Sequence, residues 1–262
     1  MIFQPFIKGG TERINYGRYE YPSGADIIFD FGNPACTTEF TSNRRVYNVG
    51  TANITGSLIP YYNPGPFYPT LTTEYGGAAD FRTLSAGSNY LTWDWKSTQN
   101  QTNILIHQIP SGSATRQTLY YPALPTTNAQ NYIELEFAVN NNIDPIGRLF
   151  VYIANSSGTP TLAFNQVQID TTFVNGRDGW NVIAITSNGN DNHGLYLNET
   201  TSSFNTSTIT RVDSGTQTTN LAIAKAPINF NAVGRVMAFL QYPRVLSPKE
   251  LRQIYKVFSQ SF

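Results

Sequence analysis

Charge is scarce in this chain of 262 residues: Asp, Glu, Lys and Arg make up 13% of it, against about 25% in an average soluble protein. The 17 basic and 17 acidic residues cancel, and the longest basic run is the pair Arg44-Arg45. Such a pattern would not neutralise a row of phosphates, so no nucleic-acid partner is expected. A single cysteine, Cys36, excludes an intrachain disulfide. With two histidines, His107 and His193, the ligand set for a structural zinc site is also missing. No apolar stretch approaches the roughly 18 residues of a membrane span. The first residues, MIFQPFIKGG, lack both a basic leader and an apolar signal core. The expectation is a product made in the cytoplasm without a signal peptide, its stability left to a packed core. Gly-rich phosphate loops, a nucleophile elbow and spaced Cys/His sets are lacking too.

What the chain does have is a recurrence of short β-like runs between Gly, Pro, Asn and Ser clusters. They read ILIHQI from Ile104, YIELEFAV from Tyr132, RLFVYI from Arg148, a run from Phe164 to Ile169, WNVIAIT from Trp180, Leu195 to Asn198, and Leu221 to Ala224. That spacing predicts a two-sheet antiparallel sandwich, because a βαβ architecture would lack its crossover helices. Helical period occurs at one place. After a strand expected from Gly234 to Tyr242, Ser247 is placed to cap a helix, Pro248 fits its first position and Glu250 completes a capping box. Leu251, Ile254, Tyr255 and Phe258 then share one stripe, which must dock on something larger. Residues 1–24 hold Phe3, Phe6, Tyr16, Tyr19 and Tyr21 without a helical or strand period. They are expected to form an arm ahead of a domain spanning residues 25–262.

Landmarks from Asp26 onward come in a recognisable order. IIFDFGNP opens the domain, followed by Val46-Tyr47-Asn48, Thr55-Gly56-Ser57-Leu58, Gly76-Gly77-Ala78-Ala79-Asp80-Phe81 and Asn89-Tyr90-Leu91. Tyr132 to Phe137, Trp180 to Ile185 and Leu195-Tyr196-Leu197-Asn198 continue the series. This order resembles concanavalin A-like jelly rolls related to laminin G domains, of the kind found in virus and bacteriophage particles. The resemblance implies an all-β jelly roll closed by one short C-terminal helix. Two departures stand out: Arg82-Thr83 replaces the Asp-Gly expected after Phe81, and Glu199 replaces a Gly after Asn198. The first removes a carboxylate that could serve a metal. No cofactor is therefore expected; Asp30, Asp170, Asp178 and Asp191 are left as scattered calcium candidates.

Chemistry is weighed residue by residue. Jelly-roll glycosidases place acids at alternating strand positions. Glu134 and Glu136 have that spacing but lack a third acid, and Ile133, Leu135 and Phe137 between them describe an ordinary half-buried strand. His107 shares a strand face with Leu105, which suits a packed imidazole as well as a reactive one; His193 sits in an Asn/Asp/Gly-rich stretch expected to be a hairpin loop. An enzyme is not expected. Aromatics carry the remaining signal. Tyr61, Tyr62, Phe67 and Tyr68 crowd a Pro-rich stretch, and Trp93 and Trp95 share one strand face. Rings of this kind stack on sugars or anchor interfaces.

Two functions emerge. The first, which the resemblance implies, is a non-enzymatic virion protein: a capsid decoration, head-fibre or tail-associated component, homo-oligomeric, docked on capsid or tail subunits through Phe3, Phe6, Tyr16, Tyr19 and Tyr21. The alternative is a lectin-like module that recognises cell-surface glycans through Tyr61, Tyr62, Trp93 and Trp95.

Overall fold

The computed structural model describes residues 21–62, 66–81, 90–96, 98, 100–108, 116–122, 133–138, 148–154, 160–168, 180–188, 192–198, 200–205, 216–221 and 235–260. In residues 61–67, 90, 95–96 and 192–193, and in the strands between 116 and 168 and between 200 and 221, the description is of the backbone. Phe3, Phe6, Tyr16, Tyr19, Arg82, Thr83, Asp170, Asp178 and Asp191 lie outside the described residues.

Two antiparallel sheets face each other. Along the first run β16 (Thr200–Asn205), β15 (Asn192–Leu197), β14 (Trp180–Asn188), β9 (Asn100–Gln108), β18 (Arg235–Tyr242), β7 (Ala78–Asp80) and β6 (Thr70–Thr72); β1 (Ile27–Asp30) joins it on β18. Along the second run β13 (Pro160–Gln168), β12 (Arg148–Ala154), β11 (Ile133–Ala138), β10 (Arg116–Pro122), β17 (Thr216–Leu221), β8 (Tyr90–Lys96), β3 (Thr55–Ile59) and β2 (Arg45–Tyr47). The two-sheet sandwich expected from the strand periods is the fold observed. Glu134 and Glu136 fall on β11, opposite Tyr152 and Phe150 of β12.

β18 is the hub. It pairs with β9 along one side, and on the other with β1 through Ala238–Gln241 and with β7 through Arg235 and Val236. Every residue from Val236 to Tyr242 is buried, so the alternation of its sequence does not separate a wet face from a dry one. The reason lies in its two neighbours. Phe239 packs across the sandwich on Trp93 of β8, while Met237, Leu240 and Tyr242 belong to a cluster with the C-terminal helix α2 (Pro248–Ser259). A sheet covered on both faces reads as a continuous apolar run.

Helix α2 forms where its start signals place it. The Ser247 hydroxyl accepts the Glu250 N–H, and the Glu250 carboxylate accepts the Ser247 N–H at 2.8 Å. Arg244 grips the same carboxylate at 2.7 Å. That guanidinium hydrogen bond, reinforced by the Ser247 donors, holds the Glu250 carboxyl well below the usual carboxylate range. Leu251, Ile254, Val257 and Phe258 are buried, and Tyr255 of the expected stripe is half-buried beside them. A second, unforeseen helix, α1 (Pro34–Thr37), is a single turn capped by the Asn33 side chain, which accepts the Ala35 N–H at 3.0 Å. Ser247→Ala should cost about 1 kcal/mol, the usual worth of a serine N-cap, read as a shift in the urea midpoint at unchanged slope.

Residues 21–23 pack on the sandwich and its helix. Tyr21 stacks on Phe258 at 6.0 Å between ring centroids, and its hydroxyl donates to Asp30. The Tyr242 hydroxyl donates to the Pro22 carbonyl at 3.1 Å, and Arg244 donates to the Ser23 carbonyl at 3.1 Å. Tyr21 therefore completes the packing of its own helix.

Candidate functional site

One end of the sandwich gathers the chemistry. β3 ends at Ile59 in the second sheet, and β6 begins at Thr70 in the first, so residues 60–69 cross from sheet to sheet. Register fixes which end this is. Ile59 pairs with Tyr90, Thr70 with Asp80, Asp80 with Arg235, Arg235 with Gln108, and Gln108 with Trp180. The termini of β3, β6, β7, β8, β9, β14 and β18 thus meet at this end. In the crossing segment, β4 (Tyr61–Tyr62) and β5 (Pro66–Phe67) form a hairpin of their own, outside both sheets, with Tyr61 opposite Phe67 and Tyr62 opposite Pro66. A two-residue ladder is marginal by itself. Its C-terminal end is anchored in the domain, since Pro69 is buried and Tyr68 half-buried.

Arg44 lies over the Tyr68 ring, its guanidinium carbon 4.2 Å from the centroid. Arg44 adopts φ 59°, a left-handed conformation uncommon for a side chain of this size. The Leu58 N–H holds it there by donating to the Arg44 carbonyl at 2.8 Å. Consecutive arginines consequently part company: Arg45 in β2 faces Glu39 at 4.0 Å, while Arg44 turns to the tyrosine. Nearby, Arg235 is 16% exposed and holds two carboxylates, Glu74 at 2.6 Å and Asp80 at 3.2 Å. That pair of contacts ties the turn before β7 to β18. Gly77 in the same turn has φ 106°, and a Cβ there would meet the Gly32 Cα at 2.6 Å, so glycine is required.

The other sequence candidates separate. Tyr61 and Tyr62 lie at this end, on the hairpin. Trp93 does not present a ring to solvent: at 3% exposure it bridges the sheets, 5.1 Å from Phe29 and 5.3 Å from Phe239. The glycan contact expected of it is corrected to a core role. Trp95 pairs with Gln217 through the β8–β17 ladder. His107 is wholly buried on β9, opposite Asn181 and Val236, and burial lowers its pKa to about 3. A neutral imidazole sealed from water has no access to a substrate. His193 belongs to strand β15, opposite Ser187, rather than to a hairpin loop. Cys36 is buried, bonded to the Asp30 N–H and the Ile28 carbonyl, and desolvation drives its thiol pKa far up, away from nucleophilic use. Among the described residues no three His, Cys, Asp or Glu side chains gather as a metal site, and no helix is long and apolar enough to cross a membrane. Sequence reasoning missed Arg44. Its available signal was the Arg44-Arg45 doublet, read only as a charge count.

The fold is similar to that of botulinum neurotoxin receptor-binding domains. The receptor-binding domain of the C/D mosaic serotype aligns over 89% of this chain and 51% of its own, with TM-score 0.61 at 13% identity. A binding domain of neurotoxin DC in complex with rat synaptotagmin II aligns over 94% of this chain and 52% of its own, with TM-score 0.62 at 10% identity. A third structure concerns type C, whose cell entry depends on interaction with two ganglioside molecules; it aligns over 94% and 52%, with TM-score 0.63 at 10% identity. This chain spans about half the length of each. At such identities the likeness is one of fold. No protein-family model matches the sequence, and no curated protein matches it.

Proposed function

We propose that the protein is a non-enzymatic, lectin-like binding module that recognises cell-surface glycans at the end of the sandwich carrying the β4–β5 hairpin. The observation that carries this reading is the hairpin itself: aromatic residues Tyr61, Tyr62 and Phe67 on a short ladder that neither sheet claims. Tyrosine rings offer a flat apolar face for sugar C–H groups and a hydroxyl for sugar oxygens. A surface low in charge and rich in Asn, Thr and Ser supplies neutral donors and acceptors of the kind sugars use. The likeness to receptor-binding domains supports this reading as well, since one such structure concerns interaction with ganglioside molecules. The virion role receives no comparable support, and the lectin alternative takes its place.

The test is a glycan array. Wild-type protein should bind a defined subset of glycans, and the double variant Tyr61→Ala/Tyr62→Ala should lose that binding while its melting temperature stays nearly unchanged. Binding that survives the double variant would move the site elsewhere on the domain. Failure of the wild-type protein to bind any glycan would remove the reading.

A further inference from the structure

We infer that Arg44, seated on Tyr68, is an anion-recognition element, and that the glycan bound at this end carries a carboxylate or a sulfate beside its neutral sugars. The inference rests on the glycan-binding reading and adds the ligand's charge to it. Three observations lead there. Arg44 is half-buried, its guanidinium carbon 4.2 Å over the centre of the Tyr68 ring, and makes neither a hydrogen bond from its guanidinium nor an ion pair among the described residues. The carboxylate closest in sequence, that of Glu39, faces Arg45 at 4.0 Å rather than Arg44. The backbone that carries the cation is also fixed, because it stays in the left-handed region through the Leu58 N–H bond.

These facts have a chemical consequence. A guanidinium that contacts an aromatic face still has N–H groups from which a carboxylate or sulfate can accept two parallel hydrogen bonds. The ring beneath it removes water from one face and adds cation–π attraction. Arg235, also at this end, is closed by Glu74 and Asp80 and cannot play this part. Arg44 also lies beside the residue directly after the aromatic hairpin, so an anion on Arg44 would place the neighbouring sugar toward Tyr61 and Phe67. The pairing assigns the two arginines separate tasks, Arg235 structural and Arg44 in recognition.

Titration calorimetry with lactose, sialyllactose and sulfated lactose tests this on the full chain. Wild type should bind one or both acidic sugars about 10-fold or more tightly than lactose, and Arg44→Gln should reduce that preference to parity while lactose affinity holds. Preference for sialyllactose over sulfated lactose assigns a carboxylate, and the reverse order a sulfate. Tyr68→Phe keeps the ring and should keep the preference, whereas Tyr68→Leu should weaken it. If the acidic and neutral sugars bind alike, or if Arg44→Gln leaves the preference intact, the inference is overturned while the glycan-binding reading stands. Absence of binding to all three and to a broad array overturns both. Thermal melts of each variant confirm that a lost preference is not a lost fold.

Discussion

Acidification from pH 7 to pH 4.5 should remove about 3 kcal/mol of folding stability, at 1.36 kcal/mol per pKa unit. The group responsible is His107. It is wholly buried on β9, and neither ring nitrogen has a hydrogen-bond partner among the described residues. Desolvation holds its pKa down from 6.5 to about 3 in the folded protein. The unfolded chain exposes the same imidazole, which takes up a proton near the ordinary value. Between those two values the unfolded state binds one proton more than the folded state, so stability rises with pH and falls as pH drops from 6.5 to 3. Glu250 also destabilises on acidification, because its carboxyl is held down by Arg244, but only below its ordinary value of 4.5. The window between pH 6.5 and 4.5 therefore belongs to His107 among the groups whose shifts are known. Urea unfolding at half-unit pH steps would show the slope, and His107→Leu should flatten it in that window. A slope that persists in His107→Leu would assign it to another group.

The same histidine illustrates how far sequence carries the fold. Strand period puts Ile104 and Ile106 on one face and Leu105 and His107 on the other, and the structure keeps that division: the isoleucines join the helix-side cluster. Period does not reveal the start of β9. Gln101, Thr102 and Asn103 are buried polar residues, and an amide-rich stretch reads as a surface loop when period is the guide. Its burial depends on β14 and β18 flanking it, and those contacts are distant in sequence. Helix α2 is legible because its signals are local: cap, proline, capping box and stripe fall within a dozen residues. The start of β15 at Asn192 is not, since Asn, Asp and Gly normally mark a turn.

The candidate site is legible in composition and illegible in geometry. A crowd of aromatics between Pro60 and Pro69 marks a candidate functional loop from sequence alone. That the loop crosses between sheets, and that Arg44 stacks on Tyr68, depends on the pairing of β3 with β8 and of β6 with β7. Alternation along a strand gives two faces without saying which one points inward. Trp93 shows the cost of that ambiguity.

Trp93→Ala should destabilise the protein by about 3 to 5 kcal/mol, the usual loss for deleting a buried tryptophan. The indole spans the sandwich: Phe29 of β1 and Phe239 of β18 lie on one sheet and Trp93 on the other, with ring centroids 5.1 and 5.3 Å away. Few other side chains could fill that span. Its Nε1–H has no partner among the described residues, so the residue is held by shape and apolar contact rather than by a hydrogen bond. Trp93→Phe should therefore recover a good part of the loss, because a ring remains and an unpaired buried donor disappears. Chemical denaturation measures both variants. Glycan binding, measured where each variant is still folded, should be unaffected by Trp93→Phe, in contrast to Tyr61→Ala/Tyr62→Ala, which should abolish binding at a stability cost below about 0.5 kcal/mol. A Trp93→Ala protein that is nearly as stable as wild type but blind to glycan would put the indole at the surface and overturn its core assignment.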